Sequence, residues 1–282
     1  MIVSFADHLA QWPNVLIVLS VAVVLLLVLA LVHRLGRLLP REGAEARSAA
    51  ALDTFKVLGP LAGVFLSFSL VQAIGQFRTA DLNVSREAAN IYQLDRALNG
   101  ASSIMDPGPA RLALRAYVSE VVTSGWAAMR RGGGEAPEAA AALARLQLEV
   151  DALLETLPLD ARFSNDIDKN LDDVQDDRAA RLGIARGGLP TVMWWVLGAL
   201  LCLLFACAAC LQGAQARHPL PILYIAGLGM LSALLFIMDR PFQGELSVSP
   251  APLVKVEAQL EARLKSAPLQ PAPSPATHST PR

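Results

Sequence analysis

Few residues with reactive side chains stand close together in this sequence. The four histidines, His8, His33, His218 and His278, lie near the ends of apolar segments or in polar tails, far apart along the chain. No nucleophile elbow, phosphate-binding loop, H-E-x-x-H motif or dinucleotide-binding motif occurs. The sequence therefore predicts a protein that is not an enzyme, with no catalytic residues and no cofactor.

Two cysteines form a C-x-x-C pair. Cys207 and Cys210 lie with Cys202 inside one apolar segment, where small side chains usually serve helix packing. No second pair of ligands stands at a metal-binding spacing, so we predict no metal site. The same placement excludes a secreted disulfide framework.

The densest run of charge is acidic and lies within residues 166–177. Asp168 and Asp172, or Asp173 and Asp177, stand one helical turn apart, near enough to share a divalent cation through carboxylate oxygens. The alternative is a solvated acidic helix face that is partly neutralised by basic neighbours. Because the loop of a dedicated calcium site is missing, the solvated face is the prediction.

A second set of charges is expected to meet at one membrane face. It consists of Glu87, Arg178, Arg181, Asp239 and Arg240, which follow or precede apolar segments. Two interpretations remain open. An ion-pair network would fix the helices where they leave the lipid, whereas a charged vestibule would concentrate anions before a pore.

The composition requires an apolar environment. Hydrophobic residues make up 54% of the 282 residues and charged residues 17%, against about 25% charged in soluble proteins. The net charge of -1 gives no basic excess for binding phosphates, so nucleic-acid binding is excluded. Four segments have the length and character of membrane-spanning helices: residues 15–32, 57–76, 191–211 and 220–238.

The first of these segments also suits a signal peptide. However, no Lys or Arg precedes it and no small-residue cleavage site follows, so a retained span is predicted. Arg34 and Arg37 after this span favour an N-terminus outside the cell, but other arginines flank the opposite ends of the spans. The orientation of the large loop is left open.

We therefore predict an all-α integral membrane protein with four transmembrane helices and a helical extramembrane bundle between spans two and three. Residues 1–77 hold two spans and their loop, 78–188 the extramembrane region, 189–239 the hairpin of spans three and four, 240–266 a post-membrane segment with an amphipathic helix, and 267–282 a disordered proline-rich tail. With no strong breaker after it, the second span is expected to continue as one helix from residue 57 to about residue 105.

The extramembrane region shows helical rather than strand periodicity. Apolar residues recur at spacings of three and four in four successive amphipathic segments. One of them has a coiled-coil-like seam formed by Leu143, Leu146, Val150, Leu153 and Leu157. Each segment must bury its apolar stripe against another surface.

The second span is the most polar of the four. Gly59, Gly63 and Ser67 recur every four residues, which allows close approach of another helix or provides a pore-facing surface. Phe65 and Phe68 would supply an apolar constriction in such a pore. The pore-lining candidates are Gly59, Gly63, Phe65, Ser67, Phe68, Ser69 and Gln72.

Several short segments occur together in a characteristic order. They are E-A-x-x-x-Y-x-L at residues 87–94, A-Y-V at residues 116–118 followed by Trp126 and Met129, D-R-A-A-R-L at residues 177–182 before Pro190 and Trp194, and D-R-P-F-Q-G at residues 239–244. From about Thr54 to Leu260 the chain thereby resembles the bacterial bestrophin-like family of four-span membrane proteins. Gly125 departs from the family pattern, which usually has an acidic residue before the tryptophan.

The resemblance implies similarity to bestrophins, which are pentameric anion channels gated by calcium. No pore-neck or calcium-site motif is carried over residue by residue, so channel activity is implied by analogy of fold. The expected function is an oligomeric channel for anions with a pore lined by the second span. The alternative is a non-conducting membrane scaffold or sensor whose helical stalk binds a partner through the seam that begins at Leu143.

The expected surroundings are the same for both functions. We expect two partners: the lipid bilayer, and further copies of the chain, with which it forms a homo-oligomer. Arginine predominates over lysine and alanine is abundant, which suits a GC-rich bacterial genome. We therefore expect a multi-pass protein of the bacterial cytoplasmic membrane.

Overall fold

The computed structural model describes residues 13–38, 40, 42–102, 104–156, 162–211 and 220–266. Within these ranges the chain forms helices and no strands, so the all-α prediction is confirmed. The helices are α1 (Asn14–Gly36), α2 (Ala44–Ala101), α3 (Gly108–Glu120), α4 (Trp126–Arg130), α5 (Pro137–Thr156), α6 (Arg162–Arg186), α7 (Thr191–Cys210), α8 (Leu220–Met238) and α9 (Ala251–Ser266). A π-helical turn, Val121–Gly125, joins α3 to α4.

Four helical stretches are long and apolar enough to cross a membrane, which confirms the predicted number of spans. They are α1, α2, the stretch Phe163–Cys210 that ends in α7, and α8. Both α1 and α2 pack against α7 and α8. Only 11% of the apolar segment of α1 is buried against the rest of the chain. Most of this helix must therefore be surrounded by lipid or by another copy of the chain.

Helix α2 is longer than predicted. It extends over 58 residues, or about 87 Å at 1.5 Å per residue, and begins at Ala44 rather than at residue 57. The alanine-rich segment before the span favours helix strongly, and Pro60 is accommodated inside the helix. The helix ends at Ala101, a few residues earlier than predicted.

The extramembrane bundle has one apolar core. The second half of α2 packs with α3, α4, α5, α6 and α9 around residues such as Leu98, Tyr117, Leu146, Ile167 and Leu260. Helix α9, which was expected as part of a separate post-membrane segment, packs on α2 and α3 and contributes to this core.

The coiled-coil-like seam of α5 is part of the same core. Leu143, Leu146, Val150 and Leu153 are all buried, and Leu157 lies outside the described residues. The seam therefore packs against the chain's own helices and offers no free surface to a partner.

The ends of α1 locate the two membrane faces. At the bundle face, the Asn14 backbone N–H donates to Glu245 at 3.1 Å. At the opposite face, Gly36 approaches α7 so closely that a Cβ at this position would overlap the carbonyl oxygen of Ala209. The predicted connection between spans three and four, the proline-rich tail, His8, His218 and His278 lie outside the described residues.

Candidate functional site

One face of α2 carries an unbroken line of exposed residues that extends from the membrane span into the bundle. Its members recur at alternating spacings of four and three residues. This α2 outward stripe comprises Val57, Leu61, Val64, Phe68, Val71, Gly75, Arg78, Leu82, Ser85 and Ala89, all exposed. A seven-residue repeat drifts by only about 20° per heptad around a straight helix, so the stripe forms a continuous surface that turns slowly around α2.

The opposite face of α2 is buried against the chain's own spans. Ala62, Leu66 and Ala73 are fully buried and lie in a core shared with α7 and α8. The Tyr224 hydroxyl of α8 donates a hydrogen bond to the Gly59 carbonyl. A Cβ at Gly59 would lie 3.2 Å from the Tyr224 ring, so glycine permits this close approach.

The seven pore-lining candidates divide between the two faces of α2. Those that are buried or half-buried toward α7 and α8 are Gly59, Gly63, Phe65 and Ser69. Those that are exposed are Ser67, Phe68 and Gln72. Phe68 lies on the outward stripe and is 71% exposed. Of the seven candidates, the outward group alone is therefore accessible to water, lipid or another copy of the chain.

The two outward polar residues differ in how their hydrogen bonds are satisfied. The Ser67 hydroxyl donates to the Gly63 carbonyl at 2.8 Å. The Gln72 amide makes no hydrogen bond with any residue in the described ranges. Because an unpaired amide in hydrocarbon is costly, this side of α2 is better suited to water or another polypeptide than to lipid.

Beyond the membrane, the inward face of α2 carries a buried acid, Glu87. Arg181 of α6 donates to its two carboxylate oxygens at 2.6 and 3.1 Å. The Tyr117 hydroxyl of α3 donates to the same carboxylate at 3.0 Å. Glu87 is 0% and Arg181 2% exposed, so this pair is enclosed and does not face a vestibule.

The protonation states of this cluster follow from its enclosure. Burial, and then the negative charge of Glu87, raise the pKa of Tyr117 well above its usual range. Burial alone would lower the pKa of Arg181, but the charge and hydrogen bonds of Glu87 raise it overall. The tyrosine therefore stays a donor and the arginine stays charged.

The π-helical turn directs two more side chains toward this pair. Such a turn shifts the following residues by about one position around the helix, which brings Trp126 and Met129 onto the buried face. The Arg181 guanidinium lies 5.8 Å from the Trp126 ring centroid and donates to the Met129 sulfur at 3.4 Å. Trp126 packs edge-on against Phe242 at 5.7 Å, which connects the cluster to the segment after α8.

A second buried acid, Asp95, lies farther along α2. Arg111 of α3 and Arg263 of α9 each contact a different oxygen of its carboxylate at 2.9 Å. Arg263 also donates to the Tyr92 hydroxyl at 2.6 Å and lies 4.5 Å from that ring's centroid. The hydrogen bond with Asp95 is the main cause of the raised pKa of Arg263. This cluster fixes α9 against α2 and α3.

The remaining charges predicted for one membrane face do not join the Glu87 cluster directly. They make separate contacts nearby: Arg178 with Glu135, Asp239 with the backbone N–H of Leu189, and Arg240 with Gln243. The structure thus brings Glu87 and Arg181 into contact and gives each of the other three its own partner.

The glycine that departs from the family pattern lies beside these charges. Gly125 lines a cavity of about 10 Å³ together with Glu135, Arg178 and Arg181. The carboxylate of Glu135 forms the ion pair with Arg178. Gly125 and this ion pair thus line the same small cavity.

The acidic residues of α6 are exposed for the most part. Asp166, Asp168, Asp172 and Asp176 are exposed, and the described residues contain no group of three or more side chains placed to hold a metal ion. Asp177 differs, since it is 6% exposed and accepts a hydrogen bond from Asn90 at 2.8 Å. Its burial raises its pKa.

Replacing Asp177 with asparagine is expected to stabilise the protein at neutral pH. Because the folded-state pKa is raised above 3.8, the folded chain binds this proton more tightly than the unfolded chain does. Protonation of Asp177 therefore stabilises the folded chain. This stabilisation is complete below the pKa of Asp177 in the unfolded chain and is lost as the pH rises through its pKa in the folded chain. Asparagine resembles the protonated acid and still accepts from Asn90.

The measurement is the thermal midpoint in detergent as a function of pH. The Asp177→Asn variant should match the wild type near pH 4 and exceed it at pH 7. Asp176→Asn, a change at the exposed neighbour, should show no such divergence. An Asp177→Asn midpoint below that of the wild type at pH 7 would contradict the assigned direction.

Several residues of these clusters were not predicted from the sequence, notably Asp95, Arg111 and Arg263. One signal was present, because Asp95 lies on the same helical face as Leu94 and Leu98, where an unpaired carboxylate is unfavourable. Its partners lie 16 and 168 residues away. Nothing local in the sequence indicates which arginines they are.

Comparisons with known proteins agree with the predicted resemblance. A model of the bestrophin-like domain matches residues 18–253, and no curated protein matches the sequence. A variant of a bacterial bestrophin homolog from Klebsiella pneumoniae has a TM-score of 0.63 and 16% identity, covering 88% of this chain and 98% of that one. The same homolog solved by zinc phasing has a TM-score of 0.61 and 14% identity, covering 89% and 99%. At these identities the structures establish a shared fold.

Proposed function

Because the chain belongs to the bestrophin-like family, we propose that it is an oligomeric anion channel of the bacterial cytoplasmic membrane. Several copies surround an axis, and each contributes α2 to the pore wall. The observation that carries this proposal is the α2 outward stripe, an exposed surface that continues from the span into the bundle.

In such an oligomer, the stripe would form a series of rings along the axis. Within the span, Leu61, Val64, Phe68 and Val71 would form apolar rings, of which Phe68 is the bulkiest. Hydrophobic constrictions of this kind gate by excluding water. Ser67 and Gln72 flank Phe68 and give the wall polar groups on either side of the narrowest ring. Four spans in one copy are too few to enclose a wide water path, so further copies are required.

The coiled-coil-like seam of α5, which suggested a scaffold or sensor that binds a partner, no longer supports that function. The seam that begins at Leu143 packs inside the chain's own bundle, so it is not available to a partner protein. The channel is therefore the better-supported function.

The proposal predicts that Phe68 controls conductance. In planar bilayers, the purified wild type should show single-channel currents, and Phe68→Ala should raise the unitary conductance several-fold because the bulkiest ring is removed. Leu27→Ala is the matched control, since Leu27 is 64% exposed on α1, a helix that packs against α7 and α8 and is not part of the proposed pore wall. Its conductance should equal that of the wild type.

Two results would oppose the channel. One is a wild-type protein that gives no selective current at any voltage, pH or calcium concentration. The other is a monomer as the dominant species in native mass spectrometry from detergent.

A further inference from the structure

We propose that Arg78 forms a binding site for small monovalent anions at the bundle-side mouth of the pore and sets the preference for anions over cations. The inference rests on the proposed function, since it requires α2 to line a pore. It adds a specific residue and a ligand class to that function.

The position of Arg78 follows from the geometry of α2. It lies on the α2 outward stripe one heptad beyond Val71, or about 10 Å along the helix. A ring of Arg78 side chains would therefore stand just beyond the apolar rings, where a permeating ion begins to exchange water for the pore wall. Rings of arginine or lysine at such a position favour anions.

Arg78 is also not held in any direct contact. Its side chain is exposed and makes no hydrogen bond or ion pair with any residue in the described ranges. Asp81 follows one turn later and is likewise exposed, but the two residues form no ion pair. The guanidinium is therefore free to meet a mobile anion.

The other end of the span offers a contrast. There Lys56 and Asp53 are exposed beside the start of the stripe and pair with each other at 2.9 Å. Their charges cancel locally, so this mouth offers little net attraction for either sign of ion. At the bundle end, the exposed charges of α2 between residues 78 and 86 are Arg78, Asp81 and Arg86, which leave one excess positive charge per copy. We therefore assign the charge selection to the Arg78 end.

An arginine at a membrane boundary also has a purely anchoring use, in which its head reaches the lipid headgroups. The anchoring role and the pore-mouth role predict different effects of neutralising the arginine. An anchoring arginine can be neutralised without any effect on which ion crosses the pore, whereas a mouth arginine acts on the local ion concentration, which a charged opening can change by tenfold or more.

The test is the reversal potential across a potassium chloride gradient for the full-length protein in planar bilayers. Arg78→Gln should reduce the ratio of chloride to potassium permeability by about tenfold, and Arg78→Glu should make potassium the preferred ion. Arg78→Lys should retain the wild-type ratio because it keeps the charge. Asp81→Asn should raise the preference for chloride.

The matched control is Arg145→Gln. Arg145 is exposed on α5, so the change removes the same charge away from the proposed pore, and its reversal potential should equal that of the wild type. If Arg78→Glu conducts with an unchanged reversal potential, the assignment of Arg78 is overturned while the channel stands. If the wild type itself carries no current, the proposed function fails and the inference fails with it.

Discussion

The Glu87→Gln variant is expected to melt about 10 °C below the wild type in detergent. The substitution keeps the shape of the side chain but removes the negative charge that Arg181 contacts through two hydrogen bonds. Arg181 is 2% exposed, so its charge would be left buried without a counter-ion. Breaking a buried pair in this way typically costs about 3 to 5 kcal/mol.

A double substitution separates loss of the pair from loss of packing. Glu87→Gln combined with Arg181→Met removes both charges, and it should recover most of the lost stability because neither ion remains unpaired. Lys56→Gln is the control, since it breaks the exposed Lys56–Asp53 pair and should change stability by less than about 1 kcal/mol. If Glu87→Gln costs no more than Lys56→Gln, the buried pair does not stabilise the bundle as argued.

The second large effect is expected at Asp95. Asp95→Asn leaves Arg111, which is 6% exposed, without its charge partner and also weakens the contact of Arg263 with α2. We expect a loss of about 3 kcal/mol together with release of α9 from the bundle. Released α9 should be cut by trypsin at its basic residues, which mass spectrometry would detect.

Arg263→Gln distinguishes the two parts of this effect. It removes the contact of α9 but leaves the Arg111–Asp95 pair intact. Cleavage of α9 should therefore increase while the thermal midpoint of the remaining bundle changes less than in Asp95→Asn. Asp53→Asn, at an exposed position, should leave both properties unchanged. Protection of α9 in both Asp95→Asn and Arg263→Gln would show that this cluster does not hold the helix.

The four spans were predictable because runs of apolar residues determine them directly. The continuation of the second span into the bundle was predictable because no strong breaker follows it, whereas its start at Ala44 was not. The sequence did not predict which face of α2 packs inside the chain. Residues 59, 62, 66, 69 and 73 follow the same heptad spacing as residues 57, 61, 64, 68 and 71. In a membrane both faces of a span are apolar, so hydrophobicity does not identify the face that packs inside the chain. The candidates were therefore drawn from both sides of the helix.

The charged clusters show a related limit. Sequence placed Glu87 and Arg181 near each other because the spans that precede and follow them had to pack. It did not include Tyr117 or Trp126 in the cluster, since their approach depends on the bundle packing and, for Trp126, on the π-helical turn. The turn has the sequence V-V-T-S-G, whose residues have low helix propensity. Low propensity alone does not distinguish a π-helical turn from a bend or a helix end, so the turn became evident only in the structure.

The continuity of α2 has a mechanical consequence. One uninterrupted helix carries the buried contacts of Glu87 and Asp95 toward one end and the Phe68 side chain nearer its middle. Because no break separates the bundle from the span, a rotation of the bundle about the long axis of α2 would turn Phe68 and Arg78 together. In the proposed channel, a regulator that binds the bundle would therefore change the aperture at Phe68 and the charge selection at Arg78 in one coupled motion.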